Sequence, residues 1–211
     1  NLTLLQSMEI GTAGLTAAAS VKKLEDAKIS KDLPVLVSGA TGGVGSVAIN
    51  ILNKLGYTVH ALTGKTYEKD MIKSMGAIEL INRDKFLEDG IKPLDKAIYS
   101  AAIDTVGGDI LFNAVKSLKY GAGLAACGLV ASPQFSATVL PFILRNVNLL
   151  GIDSVQLPVE QKKLIWEKLG SDWNVDLIDL EVPFKLETLS TGIDRILAGE
   201  MVGRGVVSLG E

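Results

Sequence analysis

The residues best placed to do chemistry in this sequence are glycines and small hydroxyls. Val35-Leu36-Val37-Ser38 runs straight into Gly39-Ala40-Thr41-Gly42-Gly43-Val44-Gly45-Ser46. The positions that follow, Val44, Val47, Ala48, Ile51, Leu52 and Leu55, recur at helical spacing. Strand, tight turn and helix in succession form a cradle for phosphate. A side-chain-free main chain lets a diphosphate approach, and the helix start adds unpaired N–H groups and the positive end of its dipole. Ala40 stands where the first glycine of G-x-G-x-x-G is expected, while Gly42 and Gly45 keep the other two positions. The chemistry implied is dinucleotide binding.

A second group of residues selects the dinucleotide. The second strand, Thr58 to Leu62, ends in Thr63-Gly64-Lys65, with no carboxylate before Glu68. A carboxylate at this point would hold the ribose 2′-hydroxyl of NAD and repel a 2′-phosphate. A hydroxyl, an open backbone and an ammonium would bind that phosphate instead, so NADPH is expected over NADH. Other reactive side chains fit structural roles. Cys127 has apolar neighbours and reads as a packed, inert thiol. His60 sits mid-strand with no histidine or cysteine partner for a metal, and no metal site is expected. Asp104 lies at a strand end, where hydrogen bonding near the nicotinamide ribose is a better role than acid catalysis. Trp166 and Trp173 fall on a helix whose apolar face needs cover.

These residues need a scaffold that delivers strand ends to one edge. After the first strand and helix, strands are expected at Thr58 to Leu62, Ile78 to Ile81, Ala97 to Ile103, Gly121 to Cys127 and Asn148 to Ile152. Helices separate several of them, one carrying Tyr67, Met71 and Met75 and another running from about Asp109 to Leu118. Strands that are nearly continuous in apolar residues and alternate with helices make a parallel sheet covered on both faces. The fold class is therefore α/β, a doubly wound parallel sheet of the Rossmann, NAD(P)-binding kind. Residues 1–30 read as a helical lead-in broken around Gly11 and Gly14, residues 31–157 as the nucleotide-binding domain, and 158–211 as a helix with a C-terminal return. That return contains a strand-like stretch from Leu177 to Phe184, a helix marked by Leu186, Leu189, Ile193, Ile196 and Leu197, and a last strand from Gly205 to Leu209.

Composition narrows the function. Of 211 residues 47% are hydrophobic, which excludes disorder, and the net charge of −3 offers no basic field for nucleic acid. One cysteine fits a reducing compartment and excludes a disulfide framework. No run reaches the roughly 20 apolar residues that span a bilayer, so a cytoplasmic protein with no membrane partner is expected. A chain opening on Asn1 reads as processed or cut. The turn Ser38-Gly-x-x-x-Gly43-x-Gly45 also fits short-chain dehydrogenases, which need Tyr-x-x-x-Lys for proton transfer. The residues four beyond Tyr57, Tyr67, Tyr99 and Tyr120 are Ala61, Met71, Ile103 and Leu124, so that catalytic class is excluded.

Further motifs carry a resemblance. They are Ile10-Gly11-Thr12-Ala13-Gly14-Leu15-Thr16-Ala17, Ala102-Ile103-Asp104-Thr105-Val106-Gly107, Ala125-Ala126-Cys127-Gly128-Leu129, the stretch from Pro141 to Val147, and Gly151-Ile152-Asp153-Ser154-Val155. With the glycine turn, they resemble the medium-chain dehydrogenase/reductase superfamily, in its zinc-independent quinone oxidoreductase branch and acryloyl-CoA reductase subgroup. The resemblance covers essentially the whole chain except for the N-terminal barrel-like catalytic domain of that family. It implies a reductase that transfers hydride from NADPH to an activated C=C bond of an enoyl thioester such as acryloyl-CoA, or to a quinone, with a small-molecule substrate and a homodimeric assembly. It puts the diphosphate on Thr41, Gly42, Gly43 and Val44, and the 2′-phosphate near Thr63, Gly64 and Lys65. Arg83 reads either as an adenosine-side contact or as a solvated loop arginine. Leu129, Ile143 and Ser154 correspond to positions lining the nicotinamide end, each equally able to be core, and Arg204 to a late cofactor contact. The resemblance marks no catalytic residue here. The strand-helix-strand at about 177–211 corresponds to a remnant of the catalytic domain and should expose an apolar, self-associating surface. The alternative is a non-catalytic NADPH-binding redox sensor.

Overall fold

The computed structural model describes residues 2–90, 92–177 and 180–209. The chain opens with α1 (Leu4–Asp26), capped by Thr3, whose hydroxyl accepts the Gln6 N–H in a reciprocal capping box. Gly11 interrupts this helix with φ 50° and ψ −157°. Four βα units follow in sequence: β1 (Val35–Ser38) and α2 (Gly43–Lys54), β2 (Val59–Thr63) and α3 (Lys69–Ser74), β3 (Glu79–Asn82) and α4 (Arg83–Asp89), β4 (Tyr99–Asp104) and α5 (Gly108–Lys116). Then come β5 (Leu118–Ala126), α6 (Leu140–Arg145), β6 (Asn148–Gly151) and α7 (Val159–Leu169). The chain ends in β7 (Glu181–Lys185), α8 (Leu189–Leu197) and β8 (Arg204–Ser208).

The first six strands form one parallel sheet in the order β3-β2-β1-β4-β5-β6. This is the doubly wound arrangement expected from the sequence, with the order reversing between β1 and β4. Side chains alternate across each strand, so Val35 and Val37 enter one core while Leu36 enters the other. One core joins the sheet to α1, α2 and α7 through Val21, Ile51, Leu169 and Trp173; the second joins it to α5 through Tyr99, Ala102, Ile110 and Phe112. No helix among the described residues is long and apolar enough to cross a membrane.

Several elements differ from expectation. The helix expected to reach Trp173 ends at Leu169, and Trp173 packs from the turn behind it with its ring under the Lys168 ammonium. Two short helices carry no periodic signal. In α4 no residue is buried, and it is nucleated by the Asn82 side chain, which accepts from the N–H groups of Asp84 and Lys85. In α6 a proline occupies the first turn and Asn146 closes the helix in the left-handed region. Part of the stretch expected as a strand from Leu177, namely Ile178 and Asp179, lies outside the described residues.

β7 and β8 form a separate parallel pair, joined through α8. The pair is pinned to the main body at its inner end: Gly203 donates its N–H to Thr41 O at 2.9 Å, and Arg204 Nε donates to Glu9 O at 2.8 Å. Its outer side exposes Leu186, Ile193, Ile196, Leu197 and Leu209, and the start of α1 exposes Leu4, Leu5 and Met8.

Glu9 is buried on α1, and burial together with Glu181 and Asp176 raises its carboxyl pKa above the ordinary 4.5. The folded state thus favours the protonated form. Its contribution is complete below the ordinary value and is lost as pH rises through the raised one. Glu9→Gln is expected to melt at higher temperature than the parent at pH 8 and at the same temperature at pH 4. Melts that are parallel at both pH values would contradict this.

Candidate cofactor site

The site grows out of the end of β1. Gly39 turns the chain with φ +60°, and any side chain there would strike Thr105 Oγ1. Ala40, the departure from the three-glycine pattern, is fully buried and donates its N–H to Leu62 O, tying the turn to β2. A Cβ on Gly45 would collide with the main chain of Gly39 and Ala40, so α2 lies directly against the turn. Gly42 caps α2 without a side-chain acceptor. The first-turn N–H groups are therefore left for a ligand anion or water.

On one side of this turn is a cleft of about 410 Å³. It brings together six sequence-expected residues: Thr41 and Gly42 from the turn, Thr63, Gly64 and Lys65 from the end of β2, and Arg83. The hydroxyls of Thr41 and Thr63 lie 3.3 Å apart, and Thr63 Oγ1 accepts the Lys65 N–H at 3.0 Å. The Lys65 ammonium donates to Met201 O at 2.6 Å, and burial lowers its pKa. Arg83 is the first residue of α4 rather than part of a loop; its Nε pairs with Asp84 at 2.9 Å while its guanidinium lies against Gly64.

A second cleft, about 720 Å³, opens on the other side of the turn and is lined by Thr12, Thr16, Val44, Cys127, Ser154 and Arg204, among others. Thr16 Oγ1 donates to Ser154 Oγ at 2.8 Å, which fastens the chain after β6 to α1. Gly43 stands between the clefts, where a Cβ would meet the Arg204 guanidinium. Among the described residues neither Lys65 nor Arg204 has a carboxylate partner. Three expected residues line neither cleft: Gly43 lies between them, Leu129 is 64% exposed in the connection after β5, and Ile143 is 68% exposed on α6. Sequence reading missed Gly199, which lines the first cleft, and Met201 and Gly203, which hold Lys65 and Thr41. A wider cleft of about 890 Å³ runs along β3, but it mixes Lys85, Lys92 and Lys96 with Glu79, Asp89 and Asp95 and holds none of the expected residues.

Residues 43–169, more than half of the chain, match the model of the zinc-binding dehydrogenase family. The chain belongs to that family. Among its relatives is YhfP of Bacillus subtilis, a putative quinone oxidoreductase, 42% identical over 99% of this chain and 64% of its own length. The crystal structure of YhfP with NAD bound matches with a TM-score of 0.94. Acrylyl-CoA reductase AcuI of Ruegeria pomeroyi is 44% identical over 97% of the chain and 62% of its own length. The crystal structure of Escherichia coli YhdH with bound NADPH matches with a TM-score of 0.92 at 39% identity, covering 97% of this chain and 63% of that one. The chain thus spans less than two thirds of the length of each relative. The medium-chain dehydrogenase/reductase resemblance read from the motifs is borne out.

Despite the family's name, no group of three or more His, Cys, Asp or Glu among the described residues is arranged to hold a metal. His60 meets Glu79 at 3.3 Å and the edge of Tyr99, and burial lowers its pKa, which keeps it neutral. The Cys127 thiol donates to Asp104 O at 3.3 Å, and burial pushes its pKa up to about 11. Two units above an ordinary thiol mean a thiolate population roughly a hundredfold smaller. Iodoacetamide at pH 7.5 should accordingly alkylate Cys127 about a hundredfold more slowly than a free thiol. Labelling at the free-thiol rate would show that it is a reactive site instead.

Proposed function

We propose that this chain is the NADPH-binding part of an oxidoreductase that reduces an activated carbon–carbon double bond, in an acryloyl-CoA-like enoyl thioester or a quinone. The observation that carries the reading is the Lys65 ammonium, parked on a neutral carbonyl at the end of β2 with a threonine hydroxyl and a bare glycine beside it. Such a group favours a 2′-phosphate over a free ribose hydroxyl. The uncapped start of α2 fits a diphosphate on Thr41, Gly42, Gly43 and Val44, with Arg204 beside Gly43 adding positive charge. The NADPH held by the Escherichia coli relative supports this choice, while the NAD in the Bacillus relative makes the preference worth measuring.

NADPH, when bound, supplies the hydride. The protein's part would be to hold the dinucleotide across the turn, with the second cleft left for its nicotinamide end. There Val44, Thr16 and Ser154 set the wall. We assign Arg83 to the adenosine side, and we leave Leu129 and Ile143 to the outer surface. Residues 1–30 and 158–211 flank the nucleotide-binding part as the segments that join a catalytic domain. The exposed apolar side chains of α1 and α8 support that docking role. In this reading the proton donor and the substrate walls lie in the further third that the relatives possess, and this chain contributes no catalytic residue.

Calorimetric titration of the chain with NADPH and with NADH tests the proposal. NADPH is expected to bind more tightly, and Lys65→Ala to lose roughly tenfold to a hundredfold in NADPH affinity, the worth of one hydrogen bond to a charged group. NADH binding should be unchanged by the substitution. Equal affinity for the two dinucleotides would overturn the 2′-phosphate assignment. Binding without consumption of NADPH by acryloyl-CoA or a quinone, in the full-length protein, would favour a redox sensor.

A further inference from the structure

The ladder between β1 and β4 runs through Val35–Ala101, Leu36–Ala102 and Val37–Ile103, and there it stops. The next two residues, Ser38 and Asp104, face each other at the point where the strands part. They are joined by side chains. Ser38 Oγ donates to Asp104 Oδ1 at 2.6 Å, and the other carboxylate oxygen accepts the Gly107 N–H at 2.7 Å. A further backbone donor, Val106, adds to these. Ser38 Oγ in turn accepts the Thr105 N–H at 3.1 Å, while Thr105 Oγ1 donates to Ser38 O at 3.0 Å. Asp104 is completely buried and Ser38 nearly so.

We propose that Asp104 is a positioning residue for the cofactor turn: acting through Ser38 and Thr105, it fixes the mouth of the crevice between β1 and β4. The proposal rests on the NADPH reading above. Ser38, Gly39, Thr105 and Val106 line the first cleft, whereas Asp104 does not reach its surface. Gly39, which starts the phosphate turn, lies against Thr105 Oγ1, so the position of Thr105 dictates where the turn runs. One hydroxyl and two amide hydrogens converge on the carboxylate at 104, and these donors oppose the rise in its pKa that burial causes. An asparagine of equal size would present its own N–H₂ to one of these donors and reverse the direction of the Ser38 hydrogen bond. The same carboxylate holds the start of the loop into α5 through Gly107, and the Asp104 carbonyl accepts the Cys127 N–H at 2.9 Å, so the ends of β1, β4 and β5 are set together.

The test separates the two halves of the dinucleotide. NADPH spans the turn at Thr41 to Val44, whereas adenosine 2′-monophosphate carries the 2′-phosphate for Lys65 and has no diphosphate. Both are titrated against the parent chain, Asp104→Asn and Ser38→Ala, by calorimetry and ligand-observed NMR. Each variant should bind NADPH about tenfold more weakly, as expected for one buried hydrogen bond misplaced. Each should lose markedly less affinity for the monophosphate, whose phosphate is held by Lys65 and not by the turn. Should Asp104→Asn fail to fold, Ser38→Ala decides alone. Unchanged NADPH affinity in a folded variant overturns the proposal, and so does an equal loss for both ligands, which would mean general loosening. A parent chain that binds neither ligand overturns the NADPH reading, and this proposal with it.

Discussion

A parallel sheet wound in both directions has one place where neighbouring strands send their chains to opposite faces, and beyond the strand ends no main-chain pairing continues across it. Here that place lies between β1 and β4, whose residues are buried along their whole length. The rest of the molecule depends on how this opening is held. One carboxylate, satisfied by a hydroxyl and backbone amides, does so where no further strand pairing is possible. Burial raises the Asp104 pKa above its ordinary value, and donors converging from two chain segments oppose that rise.

The C-terminal pair β7–β8 adds a second constraint from far away in the sequence. Gly203 and Met201 supply main-chain partners to Thr41 and Lys65, which lie well over a hundred residues earlier. Gly203 has φ +70°, and a side chain there would meet the main chain of Leu180. The return strand therefore reaches the glycine turn only by a close backbone approach. Two clefts that look like products of the nucleotide-binding units are in this way partly shaped by the last segment of the chain.

Much of this was legible beforehand, for identifiable reasons. The strands near Val35, Val59 and Tyr99 announce themselves because burial on both faces demands unbroken apolar runs. Thr41, Thr63 and Lys65 could be brought together on paper because strand ends in such a sheet share one edge. The short helix α4 stayed hidden because it buries nothing and depends on the single Asn82 cap. The Ser38–Asp104 bond left no mark, since sequence spacing says nothing about a contact across 66 positions. Met201 and Gly203 were missed because they act through main-chain atoms that any sequence supplies. Leu129, in the connection after β5, and Ile143, on α6, stand outside the clefts with their side chains exposed, although Val130 next to Leu129 lines the first cleft.

The cationic side chains around the turn have one further consequence. The chain as a whole carries a net charge of −3, so a polyanion approaching from a distance meets repulsion. Lys65, Arg83 and Arg204 nevertheless stand close to the start of α2; among the described residues Arg83 is ion-paired with an adjacent carboxylate, whereas Glu68 and Glu200 act on Lys65 without forming an ion pair. At physiological ionic strength charges separated by more than about 8 Å are largely screened from one another. An anion near the cleft mouth therefore feels these few groups and little of the rest of the surface. Added salt relieves the distant repulsion first and weakens the local attraction only later, so moderate ionic strength need not slow capture as it does for a uniformly basic binding face.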